Sequence, residues 1–228
     1  MREAAVREGW AVVCDFDGTA LTEDLGDAVS QHFAGQDTWR RAEDEYQDGA
    51  FSFGELLRRI FEPITADATA IASFARERAV LRPGFEAFVE ACAAARRPFV
   101  VCSAGLDVYI EPVLERLPPR LRAHLVLRAN RATCGPEGLR LDFHRPSRGD
   151  GCGRCGFCKG TVVRELRDAG HRVLVLGDGT ADRCAADAAD FVFATGRLVA
   201  WCRARGLPHR PFETFDEVVE AFDEVAGP

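Results

Sequence analysis

Asp15 and Asp17 stand two residues apart in the stretch Val12-Val13-Cys14-Asp15-Phe16-Asp17-Gly18-Thr19. Carboxylates this close repel each other unless a cation or a proton relieves them. Such a pair suits a site for a metal and a transferred group. Three later stretches carry chemistry that would complete it. Val100-Val101-Cys102-Ser103-Ala104-Gly105 ends an apolar run in a hydroxyl and a small-residue turn. Lys159 opens a predicted helix, and Val173-Leu174-Val175-Leu176-Gly177-Asp178 brings another apolar run to an acid, with Asp182 four residues on. The Ser103 hydroxyl and the N–H groups of Ala104 and Gly105 can cradle anionic oxygens, because small residues allow close approach.

The elements around these residues follow one pattern. The β-branched apolar run from Trp10 to Cys14 predicts a buried strand. Alternation along it would place Asp15 and Asp17 on one side, at the carboxyl end where open α/β sheets hold their ligands. From Leu21 to about Val80 no strong strand candidate occurs. Helical spacing instead covers Leu25 to Phe33, Trp39 to Gln47, Phe53 to Phe61 and Asp67 to Val80, with Ser52 and Glu55 as a capping box for the third. Strands are predicted again at Phe99, His124 to Ala129, Val173 to Asp178 and Phe191 to Ala194. Helices are predicted at Phe85 to Arg96, Tyr109 to Leu117, Gly160 to Ala169, Arg197 to Arg205 and Phe215 to Val225. Arg131 to Asp142 has a turn at its centre and predicts a hairpin or flap. Alternating strands and helices predict an α/β fold with a mostly parallel, doubly wound sheet.

In order and spacing, the four stretches at Asp15, Ser103, Lys159 and Asp178 resemble the motifs of the haloacid dehalogenase superfamily of phosphohydrolases. The resemblance implies a Rossmann-like core, residues 1–21 and 81–228, and an inserted helical cap, residues 22–80. It implies that Asp15 is the nucleophile and forms an aspartyl-phosphate, while Asp17 acts as acid and then base. It places Mg²⁺, the ion that oxygen-rich ligation favours, on Asp15, the Asp17 carbonyl and Asp178. Asp182 would act directly or through a coordinated water, or would simply be a first-turn helix acid. Thr19, Ser103, Ala104, Gly105 and Lys159 match phosphate-binding positions. The dehalogenases of the superfamily typically lack the second acid, so Asp17 points to phosphoryl chemistry.

Cys152, Cys155 and Cys158 lie directly before Lys159. This spacing admits a structural Zn²⁺ with His144 or Cys134 as fourth ligand, a disulfide or redox pair, or unligated thiols packing a tight loop. The other thiols in apolar patterns, Cys14, Cys92, Cys102, Cys184 and Cys202, are expected as small buried hydrophobes. A cysteine-bearing loop running into Cys-Lys resembles two groups. They are the 2-hydroxy-3-keto-5-methylthiopentenyl-1-phosphate phosphatases of methionine salvage and the phosphoethanolamine/phosphocholine phosphatases. Ser103-Ala104-Gly105-Leu106 and Arg59-Ile60-Phe61 resemble the salvage group more than the phosphoserine phosphatases. The latter carry a cap arginine where this chain has Ile60, although Arg58 or Arg59 would compensate. Glu23-Asp24 departs from the salvage group and favours either a cationic substrate or a plain helix-start acid pair.

Bulk properties bound the class of protein. At 228 residues and 47% hydrophobic the chain suits one large domain or a core with an inserted cap. A net charge of −7 without a basic stripe argues against nucleic acid. The first eight residues carry charges where a signal peptide needs an apolar core, and no apolar run approaches a membrane span. The expectation is a cytoplasmic monomer or homodimer acting on a small phosphorylated metabolite.

Overall fold

The computed structural model describes residues 9–143 and 156–226. Its centre is β1, Trp10–Cys14, five residues that are all buried. β-Branched and aromatic side chains here fill both faces of the sheet, as a strand covered on both sides requires. β1 pairs in parallel with β2 (Phe99–Leu106) and with β5 (Arg172–Gly177). Beyond them lie β3 (Leu125–Gly135), β4 (Gly138–Asp142), β6 (Phe191–Ala194) and β7 (His209–Pro211). The seven-stranded order is β4-β3-β2-β1-β5-β6-β7, with β4 alone antiparallel. Strand order therefore reverses at β1, and the crevice beyond its carboxyl end is where a doubly wound sheet binds ligands.

Between β1 and β2 run four helices: α1 (Leu25–Phe33), α2 (Gln36–Gln47), α3 (Phe53–Phe61) and α4 (Ala68–Arg78). Asp24, Ser52 and Asp67 cap α1, α3 and α4 through their side chains. The chain leaves and re-enters the core side by side. Leu21 bridges Leu81, Thr22 N–H donates to the Val80 carbonyl (3.1 Å), and Arg82 N–H to that of Ala20 (2.8 Å). The remaining helices are α5 (Phe85–Ala94), α6 (Asp107–Leu114), α7 (Pro119–His124), α8 (Lys159–Asp168), α9 (Arg183–Ala188), α10 (Leu198–Arg205) and α11 (Phe215–Ala226). Phe85, Phe88 and Phe215, from α5 and α11, pack with Phe99 of β2 largely edge to face, which anchors the sheet from below.

Some elements differ from the sequence expectation. α6 begins at Asp107, not Tyr109, and contains Pro112. Pro118-Pro119 reads as a helix stop, yet Pro119 starts α7, where its missing N–H costs nothing. β7 is three residues with two exposed and carries no apolar alternation to predict it. Among the described residues no helix is long and apolar enough to cross a membrane.

Candidate active site

Asp15 follows β1 directly and stays in the sheet's hydrogen bonding, its N–H donating to the Leu176 carbonyl of β5 at 2.9 Å. Strand alternation does not bring Asp17 beside it, contrary to the sequence expectation. The chain turns at Phe16 into a kinked helical turn, and that turn aims both carboxylates into one cavity. Gly18 makes the turn possible at φ 71°, and a Cβ there would stand 2.8 Å from Asp178 Oδ2. Arg82 braces the turn from behind. Its guanidinium donates to the carbonyls of Gly18 (2.7 Å), Thr19 (2.8 Å) and Glu213 (3.0 Å).

The other sequence-derived residues converge on the same place. Lys159, at the start of α8 and 3% exposed, donates to Asp15 and to Asp182 Oδ1, the latter at 2.6 Å. Asp182 Oδ2 accepts the N–H groups of Asp178 and Gly179, both at 3.0 Å. Asp182 thus closes the β5 loop and fixes the lysine, which places it inside the site and not on a solvated helix start. Thr19 Oγ1 donates to Asp15 Oδ2 at 3.3 Å and lies 3.5 Å from Asp178 Oδ1. Ser103 Oγ accepts the Gly105 N–H at 2.9 Å and lies 3.5 Å from Asp17 Oδ2. Register between β2 and β3 breaks from Cys102 to Leu106, so Ser103, Ala104 and Gly105 form a bulge beside the cavity. Asn130 Nδ2 holds the Ala104 carbonyl at 2.8 Å.

Asp17 is gripped by groups that no motif announces. Its Oδ1 accepts the N–H groups of Leu25 (3.0 Å) and Gly26 (3.3 Å), the first turn of α1. Its Oδ2 accepts the Tyr109 hydroxyl at 2.9 Å. Tyr109, Arg82 and Asn130 were invisible in the sequence because each lies far along the chain from the residues it holds and fits an ordinary helix or strand pattern. Glu23 pairs with Arg78, while Asp24 caps α1 by accepting the Asp27 N–H at 2.8 Å.

Burial dominates the electrostatics. It pushes the Asp17 carboxyl up to about 6, against the Tyr109, Leu25 and Gly26 hydrogen bonds that favour its charged form. Asp15 is held well above the usual carboxylate range by burial and by Asp182, with Lys159 pulling the other way. Asp178 is raised by burial and by Asp182. Burial alone would lower Lys159, but Asp15 and Asp182 hold it protonated well above its ordinary value. The site is short of positive charge. Asp15, Asp178 and Asp182 each offer an oxygen within 4.8 Å of the others, and among the described residues this is the one group of histidine, cysteine, aspartate or glutamate side chains able to hold an ion. An all-oxygen, multiply anionic donor set fits Mg²⁺.

The zinc expectation falls mostly outside what is described. Cys152, Cys155 and His144 lie outside the described residues, and Cys158 is buried at the start of α8. Cys134 is half-buried on β3. No thiol among the described residues joins a metal-binding group.

The cavity above the acids measures about 460 Å³. Its far wall is apolar, made by Phe53, Leu56, Leu57, Ile60 and Phe61 of α3. The α3 guanidiniums turn away from it. Arg58 pairs with Glu62 at 2.8 Å and stacks over Phe143, while Arg59 pairs with Glu45 (2.7 Å) and Glu55 (3.2 Å) and stacks over Phe51. Neither arginine therefore supplies the compensating charge that a carboxylate-bearing substrate would need.

An acidic cluster with a buried lysine, at the carboxyl ends of parallel strands where their order reverses, defines a hydrolase of the doubly wound α/β class. The chain belongs to the haloacid dehalogenase-like hydrolases, whose family pattern matches residues 12–187, and it is a phosphatase of that superfamily. It is 31% identical over 215 residues to the 2-hydroxy-3-keto-5-methylthiopentenyl-1-phosphate phosphatase of Bacillus pumilus, covering 94% of this chain and 91% of that one. The enzyme of the same name from Geobacillus kaustophilus is 32% identical over 216 residues, covering 93% and 94%. Among solved structures, a phosphoserine phosphatase in the form of a phospho-aspartyl intermediate analogue superposes with a TM-score of 0.70, at 14% identity, covering 94% of this chain and 98% of that one. The T. onnurineus phosphoserine phosphatase does so with a TM-score of 0.67 at 20% identity, covering 96% and 97%. These structural likenesses establish the fold.

Proposed function

We propose that this enzyme is a Mg²⁺-dependent phosphomonoesterase that works through an aspartyl-phosphate on Asp15, and that its substrate is the methionine-salvage enol phosphate 2-hydroxy-3-keto-5-methylthiopentenyl-1-phosphate. The observation that carries this reading is the cavity itself, with Asp15, Asp17 and Lys159 at its floor and an apolar α3 wall opposite. Residues 22–80 form a cap over residues 1–21 and 81–228, and the cap supplies that wall.

Asp15 attacks phosphorus and the ester P–O bond breaks. Asp17, as the carboxylic acid, gives its proton to the departing oxygen, which leaves as the alcohol or enol. The resulting Asp17 carboxylate then takes a proton from water as that water attacks the phosphoryl group. Inorganic phosphate leaves and Asp15 is restored. The bulge at Ser103, Ala104 and Gly105 offers small-residue backbone to the phosphoryl oxygens, and Thr19 and Lys159 hold the nucleophile in line. Asp15, Asp178 and the Asp17 carbonyl would hold Mg²⁺, with Asp182 at the edge of the set. When bound, the ion offsets charge on the carboxylates and the phosphoryl oxygens.

The apolar α3 wall suits a thioether-bearing tail and itself offers no cation to the carboxylate of phosphoserine; the cationic side chains that line the cavity, Lys159 and Arg197, come from other elements. The named relatives support the same substrate. A second reading rests on Asp24, Asp27 and Glu43, which also line the cavity and would suit the ammonium of phosphoethanolamine. Phosphate release from a panel of phosphoserine, phosphoethanolamine, phosphocholine and the enzymatically generated enol phosphate separates them. The expected result is a clear kcat/KM preference for the enol phosphate. Selective turnover of phosphoethanolamine would move the assignment to the second reading.

A further inference from the structure

Tyr109 belongs to the core helix α6 yet touches the cap. Its ring is 1% exposed and stacks on Phe61 of α3, centroids 6.1 Å apart. Its hydroxyl reaches Asp17 Oδ2 through space that two glycines leave open. A Cβ on Gly26 would stand 2.8 Å from the Tyr109 oxygen, and a Cβ on Gly105 would overlap it. Small residues from α1 on one side and the β2 bulge on the other are therefore a condition of this hydrogen bond. On its other oxygen Asp17 accepts the first two N–H groups of α1. Every donor on Asp17 suits a carboxylate, and none comes from solvent-exposed side chains.

Resting on the acid/base role proposed for Asp17, we propose that Tyr109 is the positioning residue of that acid, holding Oδ2 in place and stabilising the charge that appears on Asp17 as the leaving group departs. At that moment the Asp17 O–H bond breaks and its proton passes to the ester oxygen. The electron pair stays on Asp17 as the P–O pair goes to the departing alcohol. The Tyr109 O–H and the Leu25 and Gly26 N–H groups already point at this new charge, so no reorganisation is needed during the step. Without the hydroxyl, Oδ2 loses this donor while Oδ1 keeps the two N–H groups, and Asp17 is less willing to surrender its proton.

This role is selective for leaving groups, which a purely structural role is not. A p-nitrophenolate leaves without a proton, whereas an alkoxide needs one. The experiment compares kcat/KM for β-glycerophosphate and p-nitrophenyl phosphate in wild type, Tyr109→Phe and Gly26→Ala, with Mg²⁺ saturating. Gly26→Ala displaces the hydroxyl while leaving the tyrosine in place, so it carries the test if Tyr109→Phe fails to fold. The expected result is a fall in the alkyl-to-aryl ratio of about 10- to 100-fold in each variant, the size of losing one hydrogen bond to a charged group. An unchanged ratio, with both substrates slowed equally or neither slowed, overturns the proposal. Asp17→Asn is measured in parallel. If it too leaves the ratio unchanged, the acid/base reading of Asp17 fails. If it lowers the ratio while the folded Tyr109 and Gly26 variants do not, only the Tyr109 role fails.

Discussion

At the scale of single residues, Lys159 is the pivot of the site. It is buried between Asp15 and Asp182, and removing it leaves two buried carboxylates facing each other without a cation between them. Lys159→Met is expected to destabilise the metal-free protein by about 3–5 kcal/mol, the usual cost of orphaning a buried charge, and to abolish turnover. Urea unfolding in EDTA measures the first and phosphate release the second. The acids predict a pH effect of defined sign. Asp17 is raised to about 6, and Asp15, Asp24 and Asp178 are raised by burial as well. Unfolded aspartate titrates near 3.9, so above that value the native state binds more protons than the unfolded one. The contribution of this cluster is therefore present at low pH and is lost as pH rises through the native values. Lys159, raised above its ordinary value, keeps its contribution throughout this range and adds no slope. In EDTA, Tm should fall between about pH 5 and pH 7.5, and saturating Mg²⁺ should raise Tm more at pH 7.5 than at pH 5. A metal-free Tm that climbs over that interval would show that these acids are not raised in the native state. Asp15, Asp17, Lys159 and Asp178 were legible in the sequence because each follows an apolar run or opens a helix. Tyr109 was not, since a buried tyrosine in a helix is ordinary until the fold sets it against Asp17.

At the scale of elements, the turn after β1 depends on segments far along the chain. Arg82 stands where the chain re-enters the core, and it donates to successive carbonyls of the turn that carries Asp15 and Asp17. Arg82→Gln removes these charge-assisted bonds and should cost about 2 kcal/mol of stability. Because the turn carries Asp15 and the Asp17 carbonyl, the same variant should raise the Mg²⁺ concentration needed for half-maximal activity. Titration of activity against Mg²⁺, alongside a denaturation curve, checks both. A loss of stability with unchanged Mg²⁺ dependence would limit Arg82 to the fold. The helices of residues 22–80 were readable from their caps, Asp24, Ser52 and Asp67, which act through side chains. α2 starts earlier than its apolar spacing suggests because Gly35 ends the preceding segment with no capping side chain. Strand periodicity does not carry from Asp15 to Asp17, because the extended pattern stops at Asp15, two residues short, where the chain enters a turn that uses Gly18 at φ 71°.

At the scale of the molecule, reversal of strand order at β1 gathers Asp15, Ser103, Lys159 and Asp178 from four separate segments at one rim of the sheet. In the proposed reading, residues 22–80 cap that rim and select the substrate while the core carries the chemistry. Order and spacing of the motifs made this architecture legible, as the α/β pattern fixes which strand ends meet. The cavity's charge balance was not legible, because the side on which Arg58 and Arg59 fall depends on the packing of α3 against Phe51 and Phe143. The function proposed for this site depends on phosphoryl transfer to Asp15. It is tested most directly by intact-mass measurement of enzyme acid-quenched during turnover of p-nitrophenyl phosphate with Mg²⁺, for wild type and Asp15→Asn. A population heavier by one phosphoryl group, mapped to Asp15, is expected in wild type alone, with no phosphate release by the variant. Continued phosphate release by Asp15→Asn, or a phosphoryl group on another residue, would contradict it.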